Sequence, residues 1–133
     1  MARISAGKPD STQTKDMSIT VTLPDSLIET IVRGIMENFP EASNGSTMIC
    51  TRWKYDDWQF RFEDCEDGKE YNLDKPKLLA AFALVLSDKW PKGCTQPPMS
   101  TDPEVWDDWL CQCDAIDDDA FIQLTCLGEV IYG

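Results

Sequence analysis

Two stretches of this chain are apolar around most of a helical turn, and they constrain the fold more than any other feature. In the first, opened by Pro76, the residues Leu78, Leu79, Ala81, Phe82, Leu84, Val85, Leu86 and Trp90 cover most of the circumference. The second, from about Asp118 to Ile131, is apolar nearly all round. Such a helix is stable only when other elements surround it, so the rest of the chain must supply a wrapping. With 133 residues, 42% of them apolar, the chain can bury about two thirds of its unfolded surface in one domain. Residues 1–16 are polar and without periodicity and read as a mobile tail, leaving 17–133 as that domain.

The wrapping elements follow from local pattern. Ile19, Val21 and Leu23 alternate with hydroxyl residues, the period of a half-buried strand. Leu27, Ile28, Ile31, Val32, Ile35, Met36 and Phe39 recur at three and four, which predicts a helix with Ser26 and Glu29 in capping-box spacing and Pro40 as its stop. A loop at 41–46 leads to a meander of strands at 47–55, 58–64 and 70–73, turning at Asp56-Asp57 and Asp67-Gly68. Asp74 caps the helix that runs to Trp90, and Asp102-Pro103 opens another through about Cys113. The fold class is therefore α+β: a small antiparallel sheet, a three-stranded meander plus an N-terminal strand, packed with about four helices.

Charge is distributed as unevenly as hydropathy. Beyond Lys92 the chain has nine acids and no base, whereas residues 1–92 hold 15 acids against 12 bases. Most of the net charge of −12 thus lies in the last third. At 100° per residue, Val105, Trp106, Trp109, Leu110 and Cys113 share one sector of roughly 140°, with Glu104, Asp107 and Asp108 opposite and Cys111 on the acidic side. Part of the acidity serves the helix dipole, because Asp102, Glu104 and Asp117, Asp118 and Asp119 fall at helix N-termini. The remainder is mutually repulsive, which hints at selection for a negative field.

The available chemistry is mostly excluded by absence. No histidine is present, so the common Ser-His and Cys-His nucleophile pairs cannot be built, and no catalytic residue is assigned. Six cysteines show no C-x-x-C spacing, so they read as reduced thiols rather than zinc ligands. The run Asp114 to Asp119 lacks the glycine and the bidentate glutamate of a calcium loop, and no cofactor or metal is expected. Asp56/Asp57 with Asp67-Gly68-Lys69 resembles a magnesium-nuclease set, but the turn reading of Asp67-Gly68 explains it better. No stretch reaches the length of a membrane span, and the N-terminus lacks the apolar run of a signal peptide, which predicts a cytoplasmic protein.

The charge pattern predicts a binding surface. Carboxylates three and four apart on a helix are spaced at about 5–6 Å, comparable with successive phosphates, so Glu104, Asp107 and Asp108 can imitate a nucleic-acid strand. Asp114 and Asp117, Asp118 and Asp119 are expected to extend that row. The ending Phe121 to Gly133, the preceding Asp-Asp-Asp and the Asp67 to Tyr71 hairpin resemble small accessory proteins of bacteriophages and mobile elements. That resemblance implies an inhibitor of host defence, of the anti-CRISPR or anti-restriction type that mimics DNA. The expected partner is then a basic nucleic-acid-binding host protein or complex in the host cytoplasm, with no direct binding to nucleic acid or membrane. The alternative is a structural or regulatory interaction module whose charge keeps it soluble.

Overall fold

The computed structural model describes residues 2–5, 20–37 and 47–132. Two strands, β1 (Ala2–Ser5) and β2 (Thr20–Leu23), pair antiparallel with Ala2 opposite Leu23 and Ser5 opposite Thr20. Strand β1 falls inside the stretch expected to be a tail, and its ladder is separate from the meander. The rest of that tail, the predicted Pro40 stop and the 41–46 loop lie outside the described residues.

Helix α1 (Asp25–Glu37) buries Leu27, Ile28, Ile31, Val32, Ile35 and Met36, six of the seven residues its periodicity selects, while Phe39 lies outside the described residues. Its start differs from the capping-box expectation. Leu27 N and Ile28 N both bond to Pro24 O, which places the N-cap two residues before Ser26, and the Glu29 carboxylate instead receives Lys75 Nζ at 2.9 Å. The meander β3 (Met48–Lys54), β4 (Gln59–Asp64) and β5 (Glu70–Leu73) forms as expected in antiparallel order. Its first turn is a single 3-10 turn at Tyr55–Asp57, closed by Trp58 at φ 54°. A left-handed tryptophan is strained, and here its ring is buried, with the Arg33 guanidinium 5.2 Å and Lys75 Nζ 5.4 Å from its centre. At the second turn Gly68 takes φ 75°, and Gly68 N bonds to Asp64 O at 2.8 Å.

Helix α2 (Lys75–Val85) is capped by Asp74, whose carboxylate accepts from Lys77 N. It ends five residues short of the predicted Trp90. Ser87 Oγ donates to Leu84 O at 2.7 Å and accepts from Lys89 N, so the hydroxyl replaces helical bonds with a local turn. Helix α3 (Pro103–Gln112) begins at the predicted Asp102 cap. Helix α4 (Ala115–Leu127) starts three residues before the expected Asp118, because Asp114 and Asp117 form the capping box there. It stops at Gly128, which takes φ 78° and returns its N–H to Leu124 O.

Every residue from Asp117 to Leu124 is buried, so α4 is the central helix. It packs against α2 on one side and reaches β3 and β5 on the other, while α1 lies against both α2 and α3. The fold is α+β, with four helices and a three-stranded antiparallel sheet among the described residues. No helix among them is long and apolar enough to cross a membrane.

Candidate functional site: an acidic helix face and its cleft

Aromatic packing fixes the orientation of α3. Trp106 and Trp109 are buried, with Trp106 edge-on to Phe82 at 5.7 Å and to Trp109 at 5.3 Å between ring centres. Their indole N–H groups donate to Ser100 O and Thr95 O, which secures the rotation of the helix as well as its depth. Gly34 of α1 allows Leu110 to approach closely, since a Cβ there would lie 2.7 Å from Leu110 Cδ1. Glu104, Asp107 and Asp108 consequently point outward and are exposed, as is Cys111. Val105, expected in the packed sector, is 37% exposed and sits at its edge.

The other four acids expected on that surface have different positions. Asp114 is exposed but committed to capping, accepting from Ile116 N and Asp117 N at 3.0 Å each. Asp117, Asp118 and Asp119 are buried, which corrects the expectation of a continuous phosphate-like row. Consecutive residues on a helix diverge by about 100°, so the three face different neighbours. Asp117 accepts from Thr95 N at 2.8 Å and Thr95 Oγ1 at 2.7 Å and holds the loop before α3. Asp119 accepts from Thr47 Oγ1, Met48 N and Gln123 Nε2 and anchors the start of β3. Gln123 in turn accepts from Ile131 N and Tyr132 N, tying the C-terminal segment to the same network.

Asp118 differs from its neighbours. The residue is 7% exposed and makes no ion pair among the described residues, but its carboxylate is not a sealed, unsatisfied group. Burial, reinforced by the charges of Asp117 and Asp114, pushes its pKa up to about 7. It lines a cleft of about 630 Å³ between α1 and α3, together with Arg33, Glu37, Tyr55, Asp107 and Cys111. Arg33 is occupied elsewhere: its guanidinium lies 4.6 Å from the Tyr55 ring centre and 3.7 Å from Asp56. Asp107 belongs both to the cleft and to the outward row of α3, so the two adjoin.

The buried thiols near it are poor nucleophiles, and only Cys111 among the cleft's two cysteines is exposed. Burial raises Cys94 to about 11, and it drives Cys113 higher still with help from Asp117, Asp118 and Asp114. Among the described residues no group of three or more acids or cysteines is placed to hold a metal ion.

A second charged surface was not anticipated. Arg52, Lys54, Arg61 and Lys77 line one hollow at the end of the sheet. They are up to 25 positions apart in sequence, and strand register gathers Arg52, Lys54 and Arg61 while the first turn of α2 brings in Lys77. The alternation of β4 was the one available sign, because it sets Arg61 opposite the buried Phe60 and Phe62 face.

Compared with protein-family models, with curated proteins and with solved structures, the chain gives no match.

Proposed function

We propose that this chain is an acidic protein-binding inhibitor of phage or mobile-element type that occupies a basic nucleic-acid-binding surface of a host defence complex. Asp118 carries the reading: a largely buried residue that makes no ion pair among the described residues and whose carboxylate borders an open cleft beside the outward acids of α3. Partial burial and the neighbouring acids disfavour the ionised form of Asp118, and a cation supplied by a partner would offset that. An arginine or lysine from the partner would enter the cleft and pair with Asp118, with Asp107 and Glu37 beside it. Glu104 and Asp108 would steer the approach. Imitation of phosphates then rests on Glu104, Asp107, Asp108 and, at its end, Asp114. No enzymatic step is assigned.

A second reading, a structural or regulatory module whose charge serves solubility, draws support from Asp114, Asp117 and Asp119. Capping and hydrogen bonding already explain why these three are acidic. The two readings separate in a pull-down from host lysate with stepwise salt elution and mass spectrometry, run with the native chain and with the E104Q/D107N/D108N variant. The inhibitor reading expects nucleic-acid-binding proteins that elute with salt and are lost from the variant. Equal capture by both baits sinks it.

A further inference from the structure

We infer that the hollow at the end of the sheet is a binding site for a small organic phosphate, separate from the acidic surface and sharing no residue with it. A β-bulge builds it. The register of β3 shifts between Cys50, opposite Phe62, and Arg52, opposite Arg61. Regular alternation would send Arg52 to the buried side. The bulge reverses the phase, so Arg52 and then Lys54 project on the same outer face as Arg61. Like charges directly opposite each other across two strands are destabilising, yet here two arginines are brought face to face.

Neutralising partners would be easy to supply in a chain with 24 acids. Among the described residues, however, Arg52 and Lys54 make no ion pair, and Lys77 Nζ donates to the backbone Asn72 O at 3.0 Å. Arg61 is held in place: its Nε donates to Asn72 Oδ1 at 3.1 Å, and Glu70 lies 3.8 Å from one terminal nitrogen. The remaining guanidinium edge stays available. Asp74 also lines the hollow; it caps α2 through Lys77 N and sets one negative charge against the four cations.

Size and lining define the ligand. The hollow measures about 430 Å³, within the range of small-molecule sites, and is bordered by Phe60 and Leu73, whose side chains belong to the core. Two guanidiniums and two ammoniums suit a phosphate or diphosphate, which planar arginine forks grip in pairs of hydrogen bonds. The amides of Gln59 and Asn72 can meet the organic part. The positive field is local, because the whole chain carries −12. A long polyanion would extend beyond the screening length of about 8 Å into repulsive surroundings, whereas a small phosphate ester stays within the attractive region.

The test is a titration of the full chain followed by heteronuclear NMR, with inorganic pyrophosphate, a nucleoside triphosphate, sulfate at matched ionic strength, and a short single-stranded oligonucleotide. Pyrophosphate and the triphosphate should give saturable shifts confined to β3, β4 and the first turn of α2, with the triphosphate binding more tightly. The exposed pair R52Q/K54Q should weaken both by at least about tenfold while leaving the far-ultraviolet circular dichroism and the melting temperature unchanged. D107N/D108N should bind as the native chain does. Absence of saturable shifts, equal response to sulfate, unchanged affinity in R52Q/K54Q, or tighter binding of the oligonucleotide would each overturn the assignment.

Discussion

Asp117 and Asp118 are neighbours in sequence and both are buried, yet their acidities move in opposite directions. Burial pushes both up. At Asp117 the donors Thr95 N, Asp114 N, Thr95 Oγ1 and the Cys94 thiol outweigh burial and leave the pKa below its usual value. Asp118 lacks such donors, and with Asp117 and Asp114 beside it its pKa rises to about 7. One carboxylate is a structural tie and the other is held ready to change charge.

The stability of the protein should therefore depend on Asp118 in a defined pH window. Its folded pKa lies above the ordinary 3.8, so its contribution to stability is fully present below that value and lost as pH rises through about 7. Asp118→Asn removes the loss. Urea unfolding at pH 8 should show the variant more stable by about 1–3 kcal/mol, with the difference shrinking toward zero near pH 4. A gain of equal size at both pH values would mean that Asp118 titrates normally.

Asp117 and Asp119 should behave in the reverse sense. Because its folded pKa is lowered, Asp117 contributes stability that is present above the ordinary carboxylate range and lost as pH falls through its folded value. Asp117→Ala orphans Thr95 N, and Asp119→Ala orphans Met48 N and leaves Gln123 Nε2 without its shortest partner. Each change should cost about 1–3 kcal/mol at pH 7, read as a fall in melting temperature. If either variant melts with the native protein, the network is dispensable.

Cys111 should be the first thiol to react with iodoacetamide. Cys65 is the other exposed cysteine, but its thiol is pushed up by desolvation and by the charges of Asp64, Glu63, Asp119 and Glu66. Cys94 and Cys113 are further protected by burial, which raises both. Peptide mapping after brief native labelling checks the order. Preferential labelling of Cys113 would mean that α3 is rotated from the orientation its tryptophans set.

The sequence revealed what is governed by neighbours along the chain. The caps Asp74 and Asp102, the Asp67-Gly68 turn and the tryptophan face of α3 each depend on residues within one turn, and each lies where the pattern put it. The misreadings concern contacts made across the fold. Asp-Asp-Asp looked like a solvated helix start, but Thr95 and Thr47 arrive from 22 and 72 residues away to bond the first and third carboxylates. The cation hollow was hidden for the same reason, since a bulge that re-phases β3 leaves no mark on the strand's composition.

The acidic face supplies the last prediction. Glu104, Asp107 and Asp108 are exposed and lie opposite Trp106 and Trp109, so neutralising them to Gln and Asn should leave the fold intact or slightly more stable. Exposed charges act mainly on association rate, so with a partner in hand the triple variant should associate more slowly at low salt, and the difference should shrink as salt rises. Asp118 adds a separate signature. A partner cation entering the cleft favours its ionised form, so native binding should release a proton and weaken as pH falls below about 7. Calorimetry in buffers of different ionisation enthalpy detects that proton, and Asp118→Asn should abolish it while retaining the salt-dependent on-rate. Unchanged low-salt kinetics in the triple variant, together with proton-neutral binding by the native chain, would remove this surface from recognition.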